Sequence, residues 1–143
     1  MTQEDKELLI KDLSARLQYN IQILADIDKT FEGGVISTLK VINLKKDWVE
    51  LQGVLTPFKF DEIKPYLRPM SSMTVEECIE LGKLDATFEN IGEILPNIPY
   101  YIEVTRPEQL DFLNAHHFDY RGLIEKDLAI EVTKENNPYE TRR

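Results

Sequence analysis

The sequence predicts an α+β domain, a small antiparallel sheet of about four or five strands with two or three helices packed on one face or end. Three observations predict it. Residues 2–17 carry apolar side chains at helical spacing. Residues 21–55 hold three β-rich runs separated by turn signals. Two later sequences, Thr74-Val75-Glu76-Glu77 and Thr105-Arg106-Pro107-Glu108, have the form of helix-starting capping boxes. The variant to check is a sheet curved strongly enough to approach a small barrel.

The chain has 143 residues, 42% hydrophobic and 30% charged. That fits a single domain over residues 1–143 and is too apolar for a disordered chain. Cys78 is the one cysteine, so no internal disulfide forms, and a reducing compartment suits it. No apolar run approaches the ~20 residues of a membrane span. The first residues, MTQEDKELLIKDL, are acidic and amphipathic, where a signal peptide has a basic start and an apolar core. The expectation is a cytoplasmic protein with no membrane partner.

In chain order, the first helix spans 2–17. Thr2 caps it, and Glu4, Asp5 and Glu7 favour its positive end. Leu9, Leu13 and Leu17 form its buried stripe, with Lys6, Asp12 and Arg16 turned outward. The meander covers 21–55: a strand at Ile21–Ile27, a turn at Gly33-Gly34, a strand over Val35–Leu44, a turn at Lys45-Lys46-Asp47 and a returning strand at Trp48–Leu55. On the last strand Val49 and Leu51 share one face, and Gly53 marks a candidate bulge. Pro57 ends the ladder. A short helical turn is expected over Asp61–Tyr66 and a loop over Leu67–Ser72.

Residues 74–132 form a helix and strand region. One helix runs from Thr74 to about Leu81 with Gly82 as its stop. Thr87–Pro99 reads as an irregular excursion and Tyr100–Val104 as a strand. A helix then runs from Thr105 to about His117, a turn spans Asp119–Gly122, and Leu128–Val132 is the last strand. Residues 133–143 are polar and read as a frayed tail.

The net charge of −9 is uneven. Residues 1–70 carry 11 acids against 10 bases, and residues 71–143 carry 15 against 7. An acidic half repels phosphate backbones, which argues against nucleic-acid binding despite Lys40, Lys45 and Lys46 on the meander. The band from Glu76 to Asp111 holds nine acids against Lys83 and Arg106. It reads either as a surface for a basic partner, with Glu76, Glu77, Glu80 and Asp111 as the contact residues, or as solvated helix faces.

The densest chemistry lies in TRPEQLDFLNAHHFDYRGLI, Thr105–Ile124, which holds both histidines. On a helix, His117 shares a face with Leu110 and Leu113, and His116 sits about 100° away near Phe112. Adjacent helical histidines do not face each other, so they do not share a metal, and no metal-binding spacing is present. An enzymatic reading makes His117 a general base, Asp119 its orienter or a metal ligand, and Arg121 an anion fork. The plainer reading makes His117 a buried scaffold residue and has Asp119 and Arg121 tie down the turn. No phosphate loop, nucleophile elbow or zinc-ribbon spacing occurs, and no cofactor is implied.

Two stretches carry a resemblance. YLRPMSSMT at Tyr66–Thr74 and LNAHHFDYRGLI at Leu113–Ile124 resemble the recurring pattern of a family of short uncharacterised proteins from phages and mobile elements of gut anaerobic bacteria. The resemblance covers about a third of the chain. It implies a phage or mobile-element origin and a bacterial cytoplasmic setting, and it implies no activity. The function expected from all this is a non-enzymatic accessory protein that binds a basic host or phage protein through its acidic second half. The alternative is a small hydrolase or nuclease-like enzyme using His117, Asp119 and Arg121.

Overall fold

A computed structural model of the chain describes residues 1–83 and 107–140. The excursion at Thr87–Pro99 and the strand at Tyr100–Val104 lie outside the described residues. Within them the fold is α+β, with three α-helices and a seven-stranded, mostly antiparallel sheet. The strand count exceeds the four or five expected. The strands that were not expected are Phe58–Lys59 and Phe118–Asp119, two residues each and too short to give a periodic signal, and the seven-residue Ile63–Pro69, whose prolines read as breakers.

Helix α1 spans Gln3–Arg16, and Thr2 caps it by accepting a hydrogen bond from the Asp5 N–H at 3.0 Å. Strand β1 (Gln22–Ala25) pairs antiparallel with β2 (Val35–Asn43), which pairs with β3 (Trp48–Leu51), which pairs with the short β4 (Phe58–Lys59). The meander is therefore present as expected. Its bulge sits between Leu39 and Val41 rather than at Gly53, whose φ of 74° serves the turn after β3. Gly34 is a different case. At φ 109° a side chain there would meet the Ala25 carbonyl oxygen at under 2.5 Å, so the β1–β2 connection requires glycine.

The segment expected to form a helical turn at Asp61–Tyr66 is mostly strand. A single 3₁₀ turn, Phe60–Glu62, leads into β5 (Ile63–Pro69). Strand β5 pairs antiparallel with β1, with Ile23 opposite Pro65 and Leu24 opposite Lys64. Proline is tolerated there because antiparallel rungs alternate: Glu62 accepts from the Asp26 N–H, so Lys64 sends its backbone groups toward β1 and Pro65 sends none. Further along, β5 pairs in parallel with β6 (Phe118–Asp119) and β7 (Ile130–Glu131). The strand order β4-β3-β2-β1-β5-β6 is open, so the barrel-like variant is not formed among the described residues.

Helix α1 covers one face of this sheet. Leu9 and Leu13 pack with Ile21, Ile23, Leu39, Val49, Leu51, Phe60, Ile63 and Leu67 into the main core. Leu17 lies beyond the helix end and is exposed, so the stripe expected at 9, 13 and 17 ends a turn early. A second, smaller core joins α2 (Val75–Lys83) to α3 (Pro107–Ala115) and β6 through Met73, Cys78, Leu81, Leu113 and Phe118. The capping box of α2 forms as the sequence predicts: Thr74 Oγ1 accepts from the Glu77 N–H, and Glu77 Oε1 accepts from the Thr74 N–H. Gly82 does not stop this helix, which continues through it to Lys83.

The tail expected to fray is tied down through Glu140. Asn136 accepts from the Thr133 N–H and donates to the Glu131 carbonyl. The chain thereby turns back, and Tyr139 packs against the main core. Residues 133–140 form a strap across the sheet.

Candidate functional site

Of the Thr105–Ile124 stretch, Thr105 and Arg106 lie outside the described residues, and the rest, residues 107–124, surrounds the end of α3. The helix ends at Ala115, two residues before the expected His117. His117 adopts φ 65°, a left-handed conformation that reverses the chain after a helix. Its N–H donates to the Asn114 carbonyl at 3.1 Å and its carbonyl accepts from the Arg68 N–H at 2.8 Å. His117 thus lies off the helix face it was assigned, and Leu110, expected beside it, is exposed.

The two histidines part company. His116 stacks near Phe112, with ring centroids 4.3 Å apart, and its Nδ1 lies 3.3 Å from Glu77 Oε2. His117 lies flat on Tyr139, and its Nδ1 is buried with no hydrogen-bond partner among the described residues. Burial, and then the charges of Arg16, His116 and Arg68, push its pKa down to about 4. It is a neutral imidazole at neutral pH.

Behind His117 lies a buried polar cluster that the sequence reading missed. Asp12 and Arg16, expected to face outward, are both fully buried on α1. Arg16 Nε and Nη2 donate to the two Asp12 oxygens at 2.8 and 3.1 Å, and Nη2 also donates to the Phe118 carbonyl at 2.5 Å. Burial raises the Asp12 carboxyl above its ordinary range even with Arg16 and Arg121 beside it. Arg121 Nη1 lies 3.5 Å from Asp12 and donates to the Tyr120 hydroxyl at 3.2 Å, which in turn donates to Asn114. The signal for this burial was present. Positions 9, 12, 13 and 16 are the i, i+3, i+4, i+7 set of one helical face, and a hydrophobic pattern alone discards the two that are charged.

The catalytic triple does not assemble. Asp119 spends both carboxylate oxygens on backbone, accepting from the Leu123 and Ile124 N–H groups at 2.9 Å each. It ties down the turn, as the plainer reading had it, and makes no hydrogen bond to His117. Arg121 faces Tyr120 and Asp12. A general base needs an orienting partner and access to a substrate proton, and His117 has a tyrosine ring over its face. Among the described residues no group of three or more His, Cys, Asp or Glu is placed to hold a metal ion. Cys78 is buried in the second core.

The four acids proposed for partner contact divide. Glu77 is held by Arg68, whose Nη1 and Nη2 donate to its two oxygens at 2.8 and 2.7 Å. Burial alone would raise this carboxyl, but the guanidinium, the Thr74 N–H and His116 together bring it down to about 2. Arg68 also lies over the Phe118 ring at 4.1 Å, so this pair clamps α2 and β6 onto β5. Glu77 is a structural residue. Glu76, Glu80 and Asp111 are exposed, and no ion pair or side-chain hydrogen bond engages them among the described residues.

Comparison with family models, with curated proteins and with solved structures gives no match. Among the described residues, no helix is long and apolar enough to cross a membrane.

Proposed function

We propose that the chain is a non-enzymatic protein-interaction module, an accessory factor of phage or mobile-element origin acting in the bacterial cytoplasm. Its partner is a basic host or phage protein, met by the acidic residues of α2 and α3. The resemblance of Tyr66–Thr74 and Leu113–Ile124 supports the origin. One observation carries the binding role: Glu76, Glu80 and Asp111 are exposed and have no ion pair among the described residues, while the neighbouring Glu77 is neutralised by Arg68. Exposed carboxylates on two helices sharing one small core steer a cationic partner and repel nucleic acid. The geometry of His117, Asp119 and Arg121 weighs against the hydrolase or nuclease-like alternative, since none of the three is aimed at a common reacting atom.

The test is capture from host lysate by immobilised protein at low and high salt, beside the triple variant Glu76→Lys, Glu80→Lys, Asp111→Lys. Expected is a retained basic protein that salt releases and the variant fails to hold. Empty capture at low salt, or equal capture by the variant, overturns the reading.

A further inference from the structure

The register of the sheet gives it a second face, opposite α1. Leu24 in β1 pairs with Ile36 in β2 and with Lys64 in β5, so these three side chains form a row on that face. Gln22 and Thr38 stand in the next row, joined by a 2.6 Å hydrogen bond, and Tyr66 follows two residues after Lys64. Residues of the 133–140 strap border this face. Between them lies a cleft of about 520 Å³, with Gln22, Ile36 and Tyr66 on one side and Glu135, Pro138 and Glu140 on the other.

Three features of this cleft are unexplained by the fold. Ile36 is 51% exposed, a large aliphatic side chain left at the mouth. The Tyr66 hydroxyl has no hydrogen-bond partner among the described residues, although Tyr66 itself is buried. Among the described residues, Glu135 and Glu140 are exposed without an ion pair, and no cationic side chain lines the cleft. An apolar floor, a hydroxyl and two carboxylates, none of the three polar groups paired among the described residues, are complementary to one kind of occupant. It presents an aliphatic side chain next to a cationic one.

We propose that this cleft binds an extended segment of a basic protein, with an aliphatic side chain against Ile36 and Tyr66 and a neighbouring lysine or arginine beside Glu135 and Glu140. The proposal rests on the reading of the chain as a binder of a basic partner and adds a second contact surface, away from Glu76, Glu80 and Asp111. An extended peptide is favoured because the floor is a strand surface, along which side chains two residues apart present to the same face.

The probe is the peptide acetyl-Lys-Leu-Lys-amide, titrated at low salt into isotopically labelled protein and followed by amide chemical shifts. Expected are shifts concentrated at Gln22, Ile36 and the strap amides of 135–140. They should weaken about fivefold in Glu135→Gln/Glu140→Gln and in Ile36→Thr, and persist unchanged in the triple lysine variant of Glu76, Glu80 and Asp111. Binding without shifts in the strap, shifts confined to α2 and α3, or equal binding of acetyl-Glu-Leu-Glu-amide overturns the proposal. So do shifts that track protein concentration without peptide, which mark a second copy as the occupant. Cleft shifts that persist while the lysate capture stays empty leave the cleft standing and remove the acidic helix face.

Discussion

His117 lies flat on Tyr139, with ring centroids 3.7 Å apart and planes 12° from parallel. That stack joins the chain reversal after α3 to the C-terminal strap. The same tyrosine ends in the main ladder: its hydroxyl accepts from the Gln22 N–H at 3.0 Å and donates to the Tyr66 carbonyl at 2.7 Å. Between β1 and β5 the direct pairing runs from Ala25–Ile63 to Ile23–Pro65. The hydroxyl takes the next rung, where the strands have moved apart. Beyond it, on the same edge of β5, Arg68 donates to the His117 carbonyl. One edge of β5 is thus served in turn by a strand, a side chain and a helix terminus.

Removing that hydroxyl should be costly for so small a change. Tyr139→Phe keeps the ring and the stack but leaves the Gln22 N–H and the Tyr66 carbonyl without their partner. The cost is about 2–3 kcal/mol, since the penalty of an unsatisfied buried group exceeds the worth of an average hydrogen bond. Denaturant unfolding measures it, and hydrogen exchange at the Gln22 amide should accelerate. A loss under about 0.5 kcal/mol would mean that water replaces the hydroxyl.

Acid should weaken the protein in a window set by His117. Its folded pKa is about 4 against the ordinary 6.5. Below pH 6.5 the unfolded chain takes up a proton that the folded chain refuses, so stability falls as pH drops from about 6.5 to 4 and levels below that. The full effect is about 3 kcal/mol. His117→Asn should flatten this slope, because asparagine accepts the left-handed backbone of φ 65° and does not titrate. An unchanged slope in that variant assigns the acid sensitivity to another group.

What the sequence disclosed and what it hid divide by range of interaction. The caps at Thr2 and Thr74, the β1–β2–β3 meander and the inward face of Val49 and Leu51 were legible, because each depends on neighbours within a few positions. The strand β5 was not, since its prolines read as breakers and only the alternation of rungs against β1 excuses Pro65. The strap was not legible either. TKENNPYETRR is polar, and the residue that ties it to the first strand, Tyr139, meets Gln22 across 117 residues of chain. The placement of His117 on a helix face failed for a local reason: the helix stops at Ala115, and a helical phase carried two residues too far misplaces it. The acidic contact residues were legible as charges, but the withdrawal of Glu77 by Arg68 depends on β5 being a strand.

The buried Asp12–Arg16 pair makes a prediction of opposite outcomes. Arg16→Met alone leaves Asp12 fully buried with only Arg121, 3.5 Å away, for a counter-charge. Breaking a buried pair from one side costs about 3–5 kcal/mol. Asp12→Leu/Arg16→Met removes both charges from a position whose neighbours on the face are Leu9 and Leu13, so it should recover much of that loss. The Phe118 carbonyl, which also accepts from Arg16, keeps the recovery from being complete. Thermal melts of the two variants decide it. A double variant no more stable than the single one would show that the carbonyl contact, rather than the pair, is what Arg16 supplies.

Arg68 and Glu77 provide the last test, because the same contact decides which acids are left for a partner. Arg68→Lys keeps the charge and loses the fork: one ammonium cannot meet both Glu77 oxygens, the Ser72 carbonyl and the Phe118 face together. The loss expected is about 1–2 kcal/mol, with α2 loosened while the meander stays intact. The pH dependence carries the signature. Glu77 has a folded pKa of about 2, below its ordinary 4.5, so its contribution is present above pH 4.5 and disappears as pH falls from about 4.5 to 2. Arg68→Lys should shrink that step and leave the His117 step between 6.5 and 4 in place. Glu77→Gln should remove it while leaving capture of the basic partner unchanged, since Glu77 already has its cation. Capture lost in Glu77→Gln with α2 still folded would return Glu77 to the contact surface.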